Sequence, residues 1–357
     1  MSNTILLALF LCVLAGFLNG SYAIPIKCMD KWKEENLWLV FFIFSFLILP
    51  WLTIFIMVPN VLEIFKLLPM NAVLGAIIGG VVFGFGMLFF ANAFKYIGIG
   101  LNFVVNISIG TAGAALVPIL WHPEIIVSTY SIIQLIGIVF FIIAVVLGAK
   151  AGDIRSKTQG SSEGISVQKR YLLLGVCFAI LGGIGSACQG ISYTYSNPFI
   201  SSIAMSKFNV SPISSGIISW VIIFTAATIP YAIYFLIKNI KNRSFKYYRA
   251  PGTGIYWLYI VYMGIASWGS LIIFSKASAD IGGDLAPTIA WPMFMVFIVL
   301  TSNFWGIVFK EWKNAHKKAL LFLALSLLLY IGAIVTFSYS SVIKPPTTHQ
   351  STKIISK

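Results

Sequence analysis

Apolar runs of about twenty residues alternate with short polar stretches along nearly the whole chain. They fall at 4–24, 37–58, 72–93, 99–120, 129–150, 171–192, 213–237, 255–276, 286–308 and 320–341. A hydrocarbon core about 30 Å thick is crossed by roughly 20 residues of helix, so each run is long enough to span a bilayer. Backbone N–H and C=O groups in lipid must be satisfied within the segment, which makes helix the expected state of each run. The pattern predicts an all-α membrane protein of ten transmembrane helices. The connections are too short for a soluble domain, so the function is expected inside the bilayer.

Charge adds an orientation. The 357 residues carry a net charge of +14, with 59% hydrophobic and 10% charged residues. Of the 24 Lys and Arg, 18 lie in or beside the connections after spans 1, 3, 5, 7 and 9. Short loops rich in Lys and Arg stay on the cytoplasmic side. Those connections are expected in the cytoplasm, and both termini on the outer (periplasmic) side of a bacterial-type inner membrane. No face or motif concentrates the basic residues as a nucleic-acid site would. The first run ends in Ser21-Tyr22-Ala23, small residues suited to signal cleavage, but Met1-Ser2-Asn3-Thr4 holds no Lys or Arg, so a retained helix is expected. Cys12, Cys28, Cys177 and Cys188 lack zinc spacing and read as packing residues rather than a disulfide framework.

The polar segment 151–168, with Gly160-Ser161-Ser162-Glu163-Gly164, reads as a cytoplasmic linker. It divides the chain into a first unit of five spans (1–150) and a second of five (169–341), followed by a polar tail (342–357). Cys12 to Gly20-Ser21 has the spacing of Cys177 to Gly185-Ser186. Gly86-Met87-Leu88 with Ile97-Gly98 resembles Gly269-Ser270-Leu271 with Ile281-Gly282, one residue out of step. An odd number of spans per unit makes the second enter from the opposite side, so the expected architecture is two inverted five-helix repeats. Such folds place a substrate site near the midplane and work by alternating access. A transporter is the class this favours. Small residues such as Gly79-Gly80 and Gly182-Gly183 suit close helix approach, with a minority of the glycines expected at a cavity.

Tyr22-Ala23-Ile24-Pro25 with Lys31-Trp32, Asn36-Leu37-Trp38, Leu49-Pro50-Trp51 and Val58-Pro59-Asn60 resembles the start of the L-rhamnose–proton symporter family. Lys95-Tyr96-Ile97-Gly98 is similar to that family's link between helices 3 and 4. Ile289-Ala290-Trp291 through Gly306 to Lys310-Glu311-Trp312 and Asn314-Ala315 resembles its helix 9 and the loop after it. The resemblance implies membership of the drug/metabolite transporter superfamily, ten helices in two inverted repeats, and uptake of L-rhamnose or a related deoxysugar with a proton as coupling ion. Asn102 and Asn106, and the segment 280–287, depart from the family pattern.

A neutral sugar needs amides for its hydroxyls and an aromatic face for its C–H side. Asn102 and Asn106 lie one turn apart on one helix face, so both are candidates, with interhelical hydrogen bonding as the alternative. Asn19, Gln189 and Asn92 are further amides open to either role. Trp268, between Ser267 and Gly269-Ser270, and Trp291 are candidate stacking walls or membrane-belt residues. For proton coupling, Asp280 and Asp284 come nearest to a span, with Lys276 one turn before Asp280; a solvated turn is the alternative. Lys95 and Glu311 are a candidate gate pair, or ordinary interface residues.

No phosphate loop, metal cluster, nucleophile elbow or dinucleotide fingerprint is present, so neither an enzyme nor a bound cofactor is expected. Partners reduce to a small sugar and the bilayer. Rival readings are uptake of another sugar by the same fold, as in the glucose/ribose uptake family, export or exchange of amphipathic metabolites, and a non-transporting membrane factor.

Overall fold

The computed structural model describes residues 3–121, 126–158, 165–281 and 290–343, and among these the chain is all helical. The order is α1 (Asn3–Ser21), α2 (Glu34–Phe42), a π-helical turn (Ile43–Ile48), α3 (Leu49–Met57), α4 (Val61–Leu67) and α5 (Met70–Trp121). Then come α6 (Thr129–Thr158), α7 (Ile165–Phe208), α8 (Pro212–Lys241), α9 (Gly254–Ile281), α10 (Trp291–Val308) and α11 (Lys317–Ile343). Local chemistry sets several boundaries. Ser211 caps α8 by accepting from the Ser214 N–H, and Pro212 fills the first turn, where a missing N–H costs nothing.

Eight helices among the described residues are long and apolar enough to cross a membrane. Met293–Val308 is apolar but shorter. The third and fourth expected spans lie in one stretch, Met70–Trp121, interrupted at Gly98, where φ is 76° and ψ is −178°. That region is essentially reserved for glycine. The sixth span runs well beyond 171–192, because α7 continues to Phe208 through Pro198. The expected linker 151–168 is helical up to Thr158 and again from Ile165, and 159–164 lie outside the described residues.

Large apolar side chains cover the outside, with Ile56 75% exposed, as a bilayer-facing surface requires. Inside, α1 packs on α9 and α10, α5 on α7, the α2–α3 segment on α8, and α6 on α11. Glycines make the closest of these contacts: a Cβ at Gly86 would lie 2.6 Å from the Cα of Gly185.

At one end the polar connections interlock. Lys95 and Lys238 both reach Glu34, at 3.3 and 3.4 Å. Lys27 meets Glu311 at 3.1 Å. The Asn36 side-chain amide donates to Asn239 Oδ1 at 2.9 Å, and Asn239 donates to the Glu35 carbonyl at 2.8 Å. The segments after α1, before the Gly98 break, after α8 and after α10 thus share one face, joining residues up to 284 positions apart.

Candidate functional site

A cavity of about 200 Å³ lies inside the bundle, reached by side chains from α1, α5, α7, α8, α9 and α10 and from the α2 and π-turn segment. Its polar lining is Asn19, Asn106, Thr111, Ser186, Gln189 and Ser267. Trp220, Phe224 and Phe294 supply aromatic wall, while Tyr22, Phe41, Phe90 and Phe103 also line it. Gly110 and Gly190 also line it, and a Cβ at Gly110 would lie 2.9 Å from the Ser186 Cβ. Tyr22 stacks on Phe41 at 5.4 Å and meets Phe103 edge-on at 5.7 Å. Phe103 also touches Phe90 edge-on, at 5.5 Å, so these four rings form a continuous aromatic surface. No acid lines the cavity among the described residues.

The amides are held by their neighbours. Asn19 donates to Ser270 Oγ at 2.8 Å, and Ser270 in turn donates to the Ser267 carbonyl at 2.7 Å. Asn106 Oδ1 accepts from Ser186 at 3.1 Å, while its Nδ2 is buried without a hydrogen-bond partner. A buried unmatched donor costs about 1–3 kcal/mol, and this one lies against Gly182 of α7, whose Cβ would fall 2.7 Å from it. Trp220 is braced by Tyr193, ring centroids 4.2 Å apart and planes 13° from parallel.

Three of the expected binding residues, Asn19, Asn106 and Gln189, therefore meet at one cavity. Asn102 does not: it is fully buried, and its amide donates to the Phe90 carbonyl at 3.0 Å. It shares a helix face with Asn106 but sits one turn further along, away from the cavity. Asn92 is spent on the Leu88 carbonyl at 2.8 Å and on Lys95 at 3.1 Å. Trp268 stands behind the wall, donating to Thr53 at 2.8 Å and touching Phe224 edge-on, while its neighbours Ser267 and Leu271 reach the cavity. Trp291 opens α10, but its side chain lies outside the described residues, and so does Asp284. Asp280 pairs with Lys276 on its own helix, and that lysine is half exposed. Lys95 and Glu311 are not paired with each other: Lys95 holds Glu34, and Glu311 holds Lys27. Trp220, which sequence reasoning missed, follows Ser219 much as Trp268 follows Ser267.

With that geometry in place, similarity to known proteins bears on it directly. The family model described as L-rhamnose-proton symport protein matches residues 1–341. The chain belongs to the L-rhamnose-proton symport family. Among its relatives are the L-rhamnose-proton symporter of Escherichia coli (strain K12 / DH10B) and that of Mannheimia succiniciproducens. Each is 24% identical over 343 residues, covering 93% of this chain and 97% of the relative. As a member of a symport family the protein is a transporter, not an enzyme, and a multi-pass membrane protein. Among the described residues, no group of His, Cys, Asp or Glu is arranged to hold a metal ion.

Proposed function

We propose that this protein carries L-rhamnose, or a closely related deoxysugar, into the cell together with a proton, by alternating access between two inverted five-helix repeats. The observation that carries the reading is the cavity itself. Amides on α1, α5 and α7 stand with the aromatic side chains of Trp220 and Phe224 around about 200 Å³ in the middle of a symport-family chain. Amides can pair with sugar hydroxyls, and an aromatic plane suits the C–H face and methyl group of a deoxysugar. No resident cofactor is needed; the proton is the coupling ion.

Packing supports the repeat. Counting Met70–Trp121 as two spans divided at Gly98, and adding α10 to the long helices, makes ten. The first span then packs on the eighth and ninth, and the sixth on the third and fourth; the second meets the seventh, and the fifth meets the tenth. Exchanging each span with the one five later leaves that scheme unchanged, as a two-fold relation between 1–150 and 169–341 would require. The same plan is that of the drug/metabolite transporter superfamily. The Lys- and Arg-rich end is the cytoplasmic one by the charge rule, which puts both termini outside an inner membrane. At that end the Tyr22, Phe41, Phe90 and Phe103 rings and the ion pairs beneath them close the cavity, an arrangement suited to an outward-facing state.

The test is purified protein in liposomes under an imposed pH gradient, with radiolabelled L-rhamnose, glucose as competitor and a no-gradient control. Gradient-driven accumulation selective for rhamnose is expected. Absence of rhamnose uptake by demonstrably folded protein would remove the substrate assignment.

A further inference from the structure

A proton-coupled carrier needs a group whose charge changes during the cycle, yet no acid lines the cavity among the described residues. The remaining carboxylates differ in what they hold together. Asp280 pairs within its own helix, so its charge state changes no contact between helices. Glu35 is bound by the neutral Ser244 and Asn242 side chains, with Lys238 further off at 3.9 Å. Glu34 joins α2 to Lys95 and Lys238, but its side chain is 24% exposed, and Glu311 is more enclosed. Its side chain is 8% exposed, and one oxygen accepts both from Lys27 at 3.1 Å and from the Ile99 N–H at 3.2 Å.

Ile99 directly follows the Gly98 break, and a Cβ at Gly98 would fall 2.6 Å from the Glu311 carboxylate. Glycine there lets the carboxylate close on the backbone. Charged groups facing Glu311 include, among the described residues, Lys27, from the turn after α1, and Arg155 of α6, which acts on it electrostatically and lies over the neighbouring Trp312 ring at 4.7 Å. On α5, the nearby Lys95 is engaged by Glu34. One carboxylate thus ties the loop after α10 to segments of the other half of the chain.

Three buried amides lie on the two elements, α5 and α10, that lead from the cavity to the Gly98 break and Glu311. Asn106 is at the cavity wall; Asn102 lies one turn nearer the basic end, fully buried, its Oδ1 without a hydrogen-bond partner. Asn303 on α10 abuts Gly100, whose Cβ would lie 2.7 Å from the Asn303 oxygen, and that oxygen is also unmatched. Unmatched buried acceptors are uncommon in folded proteins and ask for a reason. Here one lies on α5 between the cavity residue Asn106 and Ile99, and the other on α10 against Gly100, the residue after Ile99.

We propose that Glu311 is the coupling carboxylate, served from the sugar cavity by the Asn106, Asn102 and Asn303 amides, and that in its charged form it latches the basic end shut. The inference rests on the proton-symport reading above. A proton arriving by way of the cavity adds to a Glu311 oxygen, and the neutral carboxyl loses its charge-assisted bonds to Lys27 and the Ile99 N–H. The latch opens, the cavity meets the basic side, and the proton leaves there; recharging closes the latch.

The experiment has two arms. In proteoliposomes, Glu311→Gln should lose gradient-driven L-rhamnose accumulation by about tenfold or more while keeping rhamnose exchange, and Asp280→Asn should keep both. Asn102→Leu and Asn303→Leu should slow accumulation without changing KM. The second arm needs no substrate. In a background without the four native cysteines, Phe103→Cys is labelled by an impermeant thiol reagent from the basic side of inside-out vesicles. Labelling should rise as pH falls with Glu311 in place, become pH-independent in Glu311→Gln, and regain pH dependence in Glu311→Asp. Failure of the wild type to carry rhamnose would sink the substrate reading alone, since the labelling arm still decides the latch. Undiminished accumulation, or pH-dependent labelling that persists in Glu311→Gln, overturns it.

Discussion

Asn102 and Asn106 share a helix face, yet one donates to a backbone carbonyl and the other lines the cavity. What separates them is depth along the helix, which periodicity does not report. Asn106→Ala should therefore weaken sugar affinity by about tenfold, the loss of one well-placed hydrogen bond, whereas Asn102→Ala should leave affinity unchanged. Equilibrium binding of labelled sugar to the two purified variants checks this. Asp30 poses a separate question at the basic end. The Tyr256 hydroxyl donates to it at 2.6 Å and holds its carboxyl below the ordinary 3.8. A carboxyl lowered on folding contributes stability at higher pH that is lost as pH falls through the folded value. Tyr256→Phe should raise the Asp30 pKa toward 3.8, so the variant should lose less stability on acidification below about pH 4 than the wild type. Melting temperature followed against pH in detergent would show it. The candidate amides were legible because polar groups in an apolar span turn toward the protein interior. Trp220 was not, because helices apolar all round give no phase by which to prefer it over Trp268.

Among the elements, the break in α5 matters most. Gly98 has the backbone of a residue only glycine adopts readily, and the Glu311 carboxylate occupies the space where a Cβ would stand. Gly98→Ala should destabilise the protein by about 1–3 kcal/mol from backbone strain alone. Gly269→Ala, whose nearest neighbouring atom is 3.8 Å away, should be tolerated. Thermal unfolding of the two variants side by side is the measurement. The chain pattern located a polar link at Lys95–Gly98 but missed the continuation of α7 to Phe208, because Tyr193, Ser196, Asn197 and Pro198 look like a loop. Several polar groups of that segment are instead met within the bundle: Ser192 donates to the Gly75 carbonyl at 2.7 Å, and Asn197 Oδ1 accepts from Ser201 and Ser219, each at 2.9 Å. The π-helical turn at Ile43–Ile48 places Phe46 on the cavity lining, and Phe46 stacks on Phe224 at 4.6 Å. No sequence signal pointed to that turn.

At the scale of the whole molecule, six helices and the α2 and π-turn segment bring side chains to one cavity, and polar groups from distant segments interlock at the basic end. The sequence alone determined the all-helical membrane character, the basic end, the absence of enzyme motifs and the family resemblance. Each of these follows from local quantities: hydropathy over twenty residues, charge in a short loop, a motif of three or four residues. The tertiary structure decided which amides share a cavity, which tryptophan forms its wall, and that Lys27 rather than Lys95 holds Glu311. Those outcomes depend on how helices rotate and slide against one another. In lipid that is set by side-chain packing and hydrogen bonding between segments far apart in sequence, not by the apolarity that makes each of them a span.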